Sequence, residues 1–238
     1  MIAFIDGDII APEANCIFRG RFPQRALPDE VQEYIERRVA SLKTCVFQSD
    51  NIIAIQGPGN FRKALHPEYK QSASRLKSRG SREPWFENAN KFIKTLPDVV
   101  ESHGCEADDL LRMYAYEAEA SGHEFAVISS DKDLDCIPGH HIDPKRGVNE
   151  YFVSEEQALH HYWCQILAGD NVDNIPGLER VGMQRASGLL NGASTSVQYL
   201  QAAIRAYQSY HGSDWEQHLV FNGRLIHMWR YPGDYFSI

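Results

Sequence analysis

"FAVISSDKD", residues 125–133, decides the architecture. Its first four residues form an unbroken apolar run. The run stops at two serines, and Asp131 and Asp133 follow at once. A continuous apolar stretch of this length suits a strand covered on both faces, as in a parallel sheet. The pattern recurs upstream. "MIAFIDGD" (1–8) is apolar from 2 to 5 and then meets Asp6 and Asp8, and "NIIAIQGPG" (51–59) is apolar from 52 to 55 and then turns on glycine. Helix-like segments occupy 28–47, 84–96 and 107–120. Such alternation predicts an α/β fold with a mainly parallel sheet, flanking helices and right-handed crossovers. Open parallel sheets build their sites beyond the carboxyl ends of strands, and the acids fall there.

From about 154 the strand-like runs give way to helix and turn signals. "SEEQALHHYWCQILAGD" (154–170) opens on Ser154 as an N-cap and stops at Gly169; "GMQRASGLL" (182–190) and "TSVQYLQAAIRAYQSY" (195–210) follow. The expected division is an α/β core over 1–153, with a basic arch or clamp at about 62–90, and a helical lobe over 154–238.

The composition sets limits. The chain has 238 residues, 43% hydrophobic and 24% charged, which is ordinary for a globular protein. No apolar run approaches the ~20 residues that span a bilayer, and the start lacks a basic n-region, so no signal peptide is expected. Five scattered cysteines, never spaced C-x-x-C, indicate reduced thiols and a cytoplasmic location rather than a disulfide frame or a zinc site. The pairs His140–His141 and His160–His161 read as solvated ends of elements, and Trp85, Phe86, Tyr207 and Tyr210 fit core positions as well as base-stacking ones. A formal charge of −8 argues against general affinity for polyanions. Charges beyond ~8 Å are screened at physiological salt, however, so local charge decides. Residues 62–82 hold seven basic side chains against the single acid Glu68, a local charge of +6.

Nine acids stand at expected strand ends and helix starts: Asp6, Asp8, Glu106, Asp108, Asp109, Asp131, Asp133, Asp170 and Asp173. The first-turn acids at 106–109 also favour the helix dipole, which alone would account for them. If all nine converge, like charges raise one another's pKa unless a cation intervenes. Carboxylate oxygen is the preferred ligand of hard divalent ions, and two such ions ~3.5–4 Å apart clamp the attacking and leaving oxygens of a phosphodiester. A calcium loop fails as an alternative: "DKDLDCIPGHHI" (131–142) has Cys136 where an EF-hand needs glycine and Ile142 where it needs glutamate.

"DGD", "NFRKALHPEYK", "EADDLL", "ISSDKDLDCIPG" and "GDNVDNIPGLERVG", in this order, resemble the flap-endonuclease superfamily of 5′ nucleases, and within it the compact phage 5′→3′ exonucleases. The ending "HLVFNGRLIHMWRYP" is similar to the tail of the short-tailed-phage type. The resemblance implies a PIN-like core, two Mg²⁺ ions for which Mn²⁺ substitutes, and hydrolysis of DNA at a free 5′ end, flap or overhang in phage replication or recombination. It puts eight of the nine acids on metal-binding positions; Asp8 matches the phage subgroup alone. It puts Arg62 and Lys70 on the basic positions that polarise the scissile phosphate. Residues 174–182 fall on a helix-three-turn-helix element, implying that Gly177, Val181, Gly182, Gln184 and Arg185 hold the duplex backbone beside a K⁺ ion. Glycines there permit close approach of a backbone, and amides at a helix start favour anions; such contacts grip without reading sequence.

Two departures stand out. Gly57 occupies the place of a family aspartate in "IAIQGPGNFR". Arg75 lies five residues after Lys70, where relatives carry an arginine after three. The first motivates a rival reading, a DNA-structure binder with reduced catalysis; a PIN-type ribonuclease would share the acidic core without needing "GDNVDNIPG".

Overall fold

The computed structural model describes residues 1–47, 49–145 and 149–238. They form two units: Met1–Asn60, Ser78–Leu134 and Gly139–Phe152 in the first, and Phe61–Lys77, Asp135–Pro138 and Val153–Ile238 in the second.

The first unit is built on six strands: β1 (Ile2–Asp6), β2 (Asp50–Ile55), β3 (Val99–Glu101), β4 (Phe125–Ile128), β5 (Gly139–Asp143) and β6 (Asn149–Val153). Their order is β3-β2-β1-β4-β5-β6. The first five run parallel, with Ile5 of β1 level with Ile53 of β2 and Ile128 of β4. The central position of β1 explains its unbroken apolar run, since Ala3, Phe4 and Ile5 are buried on both faces. Helices α1 (Ile10–Ile17), α2 (Asp29–Lys43), α5 (Phe86–Ile93) and α6 (Ala107–Ala120) also belong to it. Ile10, Ile35, Leu42, Trp85 and Ile93 pack with Ile5, Ile53 and Ile128 in one core. Each such aliphatic side chain, fully buried, contributes about 1.5–3 kcal/mol.

Helix α6 covers the expected span. Helix α2 stops four residues short of it: Thr44 Oγ1 donates to the Ser41 carbonyl at 2.8 Å and closes the turn with a side-chain bond.

The second unit contains α3 (Phe61–Leu65), the start of α4 (Ala73–Gly80), α7 (Glu155–Ala168), α8 (Met183–Leu189), α9 (Ser196–His211) and α10 (Trp215–Ile226). Trp163, Ile166, Leu167, Tyr199, Tyr207 and Leu219 form its core. Ser154 caps α7 as the sequence indicates. Its Oγ accepts from Gln157 N at 3.1 Å, while Gln157 Oε1 accepts from Ser154 N at 2.9 Å.

Residues 61–77, grouped with the core on sequence, belong to this second unit. Phe61 stacks on Trp229 with ring centroids 4.5 Å apart. The Arg62 guanidinium donates to the carbonyls of Leu225 at 2.7 Å and His227 at 2.8 Å. These tertiary bonds leave no mark on local composition. Among the described residues no helix is long and apolar enough to cross a membrane.

Candidate active site

In the first unit Asp6 and Asp8 stand at the carboxyl end of β1 and Asp131 and Asp133 follow β4, its neighbour in the sheet, while Glu106, Asp108 and Asp109 stand at the start of α6. Asp6 ends β1 and is buried. Its Oδ1 accepts from Asp8 N at 3.0 Å and its Oδ2 from Ser129 Oγ at 2.7 Å. Ser129 follows β4, and its hydroxyl oxygen accepts in turn from Asp131 N at 2.9 Å. One hydroxyl thus ties two acids from two strands. Burial, then the charge of Asp8 and then that of Asp131, push the Asp6 carboxyl up to about 7, against the lowering effect of the Ser129 bond. A nearby cation relieves such a condition.

Asp8, Glu106, Asp109 and Asp131 have structural duties as well. Asp8 Oδ1 accepts from Gln56 N at 3.0 Å and so caps the end of β2. Glu106 and Asp109 close a capping box at the start of α6: Asp109 Oδ2 accepts from Glu106 N at 2.8 Å, and the Glu106 side chain accepts from the backbone of Asp109. Asn60 Nδ2 also donates to Glu106 Oε1 at 2.9 Å. Asp131 Oδ1 accepts from Asp133 N at 3.0 Å, and Asp108 is half-buried on the first turn of α6. Among the described residues, no three Asp, Glu, His or Cys side chains are drawn together closely enough to enclose an ion. The expected gathering therefore has no closed cage among the described residues; oxygens of Asp6, Asp8, Asp109 and Asp131 each accept from a backbone N–H. As a donor set, acids at 6, 8, 106, 108, 131 and 133 fit a hard divalent cation, since every donor is a carboxylate oxygen.

Gly57 explains itself. A Cβ there would lie 2.0 Å from the carbonyl oxygen of Ser102. Gly57 N donates to Ser102 Oγ at 3.1 Å, which fixes the close crossing. The end of β2 has no room for the aspartate that the resemblance leads one to expect.

In the second unit the loop after α7 is pinned at its root. Asp170 and Ile175 pair as an antiparallel bridge. Asp170 Oδ1 accepts from the N–H of Val172 at 2.6 Å and of Asp173 at 3.3 Å. Gly177 has φ +58°, and a Cβ on it would lie 2.3 Å from the Ala168 carbonyl. Only glycine allows the chain after the loop to fold back on the end of α7. Gly182, Gln184 and Arg185 are exposed around the start of α8, whereas Val181 is buried in the core of this unit. Any backbone-gripping role of Val181 is thereby confined to its main chain.

The two basic residues differ. Lys70 adopts φ +56°, unusual for a residue with a side chain. Its N–H donates to the Asp173 carbonyl at 2.8 Å, and its Nζ lies 3.5 Å from Asp173 Oδ2. Arg62 is 2% exposed and its guanidinium serves the Leu225 and His227 carbonyls. The structure thus gives Arg62 a structural task instead of an exposed face for phosphate. Ser129, Gln56, Asn60 and Tyr69 are the partners that sequence reasoning missed; only "SSD" in "ISSDKD" hinted at the first.

A parallel sheet with acids at its carboxyl edge, accompanied by a helical unit with a tight glycine loop, defines the class of resolvase-like nuclease folds. The chain belongs to the family "5′-3′ exonuclease, N-terminal resolvase-like domain", whose model matches residues 32–162. It is 32% identical over 143 residues to DNA polymerase I of Rhizobium leguminosarum, covering 55% of this chain and 14% of that one. It is 30% identical over 142 residues to a 5′-3′ exonuclease of Buchnera aphidicola, covering 55% and 48%. The chain thus spans less than half the length of either relative. Among solved structures, a bacteriophage T5 flap endonuclease in a complex with DNA and metal ions superposes with a TM-score of 0.62 at 18% identity, over 93% of this chain and 86% of that one. That likeness is one of fold.

Proposed function

We propose that this chain is a divalent-metal-dependent nuclease that hydrolyses DNA near a 5′ end, as a 5′→3′ exonuclease or 5′ flap endonuclease. The observation that supports it most is the buried Asp6, pushed up to about 7 by burial and by Asp8 and Asp131, at the strand ends of a chain in the 5′-3′ exonuclease family. Asp6, Asp8, Glu106, Asp108, Asp131 and Asp133 are the residues that would hold Mg²⁺ or Mn²⁺; Asp170 is a further candidate on the second unit. Bound ions would supply Lewis-acid charge and a readily deprotonated water. The protein's own residues do the rest. Ser129 holds Asp6 and Asp131 in register, and Asp109 fixes the start of α6 on which Glu106 and Asp108 stand. Lys70 offsets charge on the non-bridging oxygens of the scissile phosphate. Gly177, Gly182, Gln184 and Arg185, with the main chain of Val181, grip the duplex backbone, and K⁺ at that loop remains part of this proposal.

Single-turnover assay of 5′-labelled duplex, flap and RNA substrates, with Mg²⁺ and then with EDTA, tests the reading. Metal-dependent release of short 5′ products from DNA is expected. Release from RNA alone would favour the ribonuclease. The crowding of Gly57 against Ser102 favours one alternative, a DNA-structure binder with reduced catalysis; tight binding to flap DNA without release would support it.

A further inference from the structure

Asp173 matches a metal-binding position by resemblance, yet its carboxylate is already committed to cations. Oδ1 accepts from Arg75 Nε at 3.0 Å and Nη2 at 2.6 Å. Oδ2 faces Lys70 Nζ at 3.5 Å and the Tyr69 hydroxyl at 3.4 Å. Two positive side chains and a phenol thus surround one largely buried carboxylate. A divalent ion bound to it would stand beside two like charges, which the short distances make unfavourable.

The surrounding contacts show what the arrangement holds. Lys70 N donates to the Asp173 carbonyl at 2.8 Å, and His66 Nε2 approaches the Asn174 carbonyl at 3.0 Å. Asn174 Nδ2 donates to the Glu68 carbonyl at 3.1 Å, and Ser72 Oγ donates to the Val172 carbonyl at 2.5 Å. Segment 66–75 is therefore laced to loop 172–174, with Lys70 at the middle in a left-handed conformation. Such a conformation persists where surrounding bonds over-determine it. In the Arg75–Asp173 contact two guanidinium nitrogens converge on the single oxygen Oδ1, and charge-assisted bonds of this kind are stronger than the neutral ones around them.

We propose that Arg75 is a positioning residue that acts through Asp173 on Lys70, and that Asp173 anchors these cations rather than ligating an ion. Arg75, five residues after the lysine, is then placed to hold Lys70 through Asp173. The proposal rests on the nuclease reading, since it is that reading which gives Lys70 a phosphate to act on.

The test compares wild type with Arg75→Ala, Arg75→Lys, Asp173→Asn, the Arg75→Ala/Asp173→Asn double variant and Asp131→Asn. Two quantities are read: the single-turnover cleavage rate at saturating DNA, and Mn²⁺ binding followed by electron paramagnetic resonance. Arg75→Ala and Asp173→Asn should each slow cleavage by about 10- to 100-fold, the scale of a misplaced catalytic group. The double variant should be within about threefold of the slower single, because both remove one unit. Arg75→Lys, which keeps the charge without the two-nitrogen contact, should recover part of the loss. Mn²⁺ affinity in Asp173→Asn should stay within about threefold of wild type, well inside the 10- to 100-fold that even an outer-shell partner of a metal costs; Asp131→Asn should lose it. Multiplicative losses in the double variant, or weakened Mn²⁺ binding in Asp173→Asn comparable with that of Asp131→Asn, would overturn the proposal. The Mn²⁺ measurement needs no turnover. A wild type that binds Mn²⁺ but cuts nothing would fail the nuclease reading while still deciding whether Asp173 is a ligand.

Discussion

Gly57 and Lys70 show how a single position carries both packing and chemistry. Replacing Gly57 by the aspartate of the family pattern drives a Cβ to 2.0 Å from the Ser102 carbonyl, so the crossing must open. Gly57→Asp should therefore lose about 2 kcal/mol or more in urea unfolding, in the range of overpacked sites, without faster cleavage; wild-type stability would contradict the crowding. Lys70→Ala should slow cleavage at saturating DNA by about 10- to 1000-fold, as loss of a charge-stabilising group does. A change in DNA affinity with the saturated rate intact would make Lys70 a binding residue only. At this level the sequence was informative where residue type and local position suffice: Asp6 and Asp131 follow apolar runs, so strand ends and acids are read together. It was silent where function depends on distant partners. Nothing near Arg62 in the chain announces that Leu225 and His227 supply its acceptors, and a glycine's reason at 57 lies in Ser102.

Helix boundaries marked by caps were legible, and short strands were not. Ser154 with Gln157, and Glu106 with Asp109, set the starts of α7 and α6 by local side-chain bonds. Ser154→Ala should cost about 1 kcal/mol in thermal or urea unfolding, the usual worth of an N-cap; no measurable loss would deny the capping role. By contrast β3 has three residues, and β5 reads "GHHID", whose histidines suggested a solvated end. His141 is instead buried within β5 and stacks on Tyr151 at 5.3 Å. His160 lies inside α7, 3.2 Å from the Tyr199 hydroxyl and 3.0 Å from Ser187 Oγ. Burial of a polar residue is fixed by tertiary partners, which periodicity does not reveal. The chain's last residues form an element of the same kind. Asp234 accepts from Arg230 Nε at 2.8 Å, Arg230 N at 3.1 Å and His227 Nε2 at 3.1 Å. A carboxylate only accepts, so Nε2 carries the proton and Nδ1 accepts from the Tyr162 hydroxyl at 3.1 Å. Although burial opposes it, bonding to Arg230 and His227 holds the Asp234 carboxyl well below the usual carboxylate range. A depressed folded pKa stabilises the fold above the unfolded value of about 4 and loses that contribution as pH falls further. Asp234→Ala should thus be less stable than wild type by about 1–3 kcal/mol at pH 7. The gap should persist down to about pH 5 and shrink below about pH 4; a gap independent of pH would contradict the charged form.

Across the whole molecule, an acidic total stands beside a basic stretch, part of which, Arg62 and Arg75, is committed to partners within the second unit. The net −8 includes acids committed to strand ends and helix caps, while 62–82 carries +6. Alternating apolar runs and helices made the first unit's parallel sheet readable; the assignment of 61–77 to the second unit depended on Phe61 against Trp229, 168 residues away in the chain. The central claim is that oxygens at the ends of β1 and β4 hold the divalent ions on which cleavage depends. Single-turnover release of 5′-labelled product from flap DNA in Mg²⁺, measured for wild type and Asp131→Asn, addresses it most directly. The variant should be slower by about a thousandfold, the upper end for removal of one charge-organising group, while still binding DNA. Cleavage by Asp131→Asn at the wild-type rate would contradict the account.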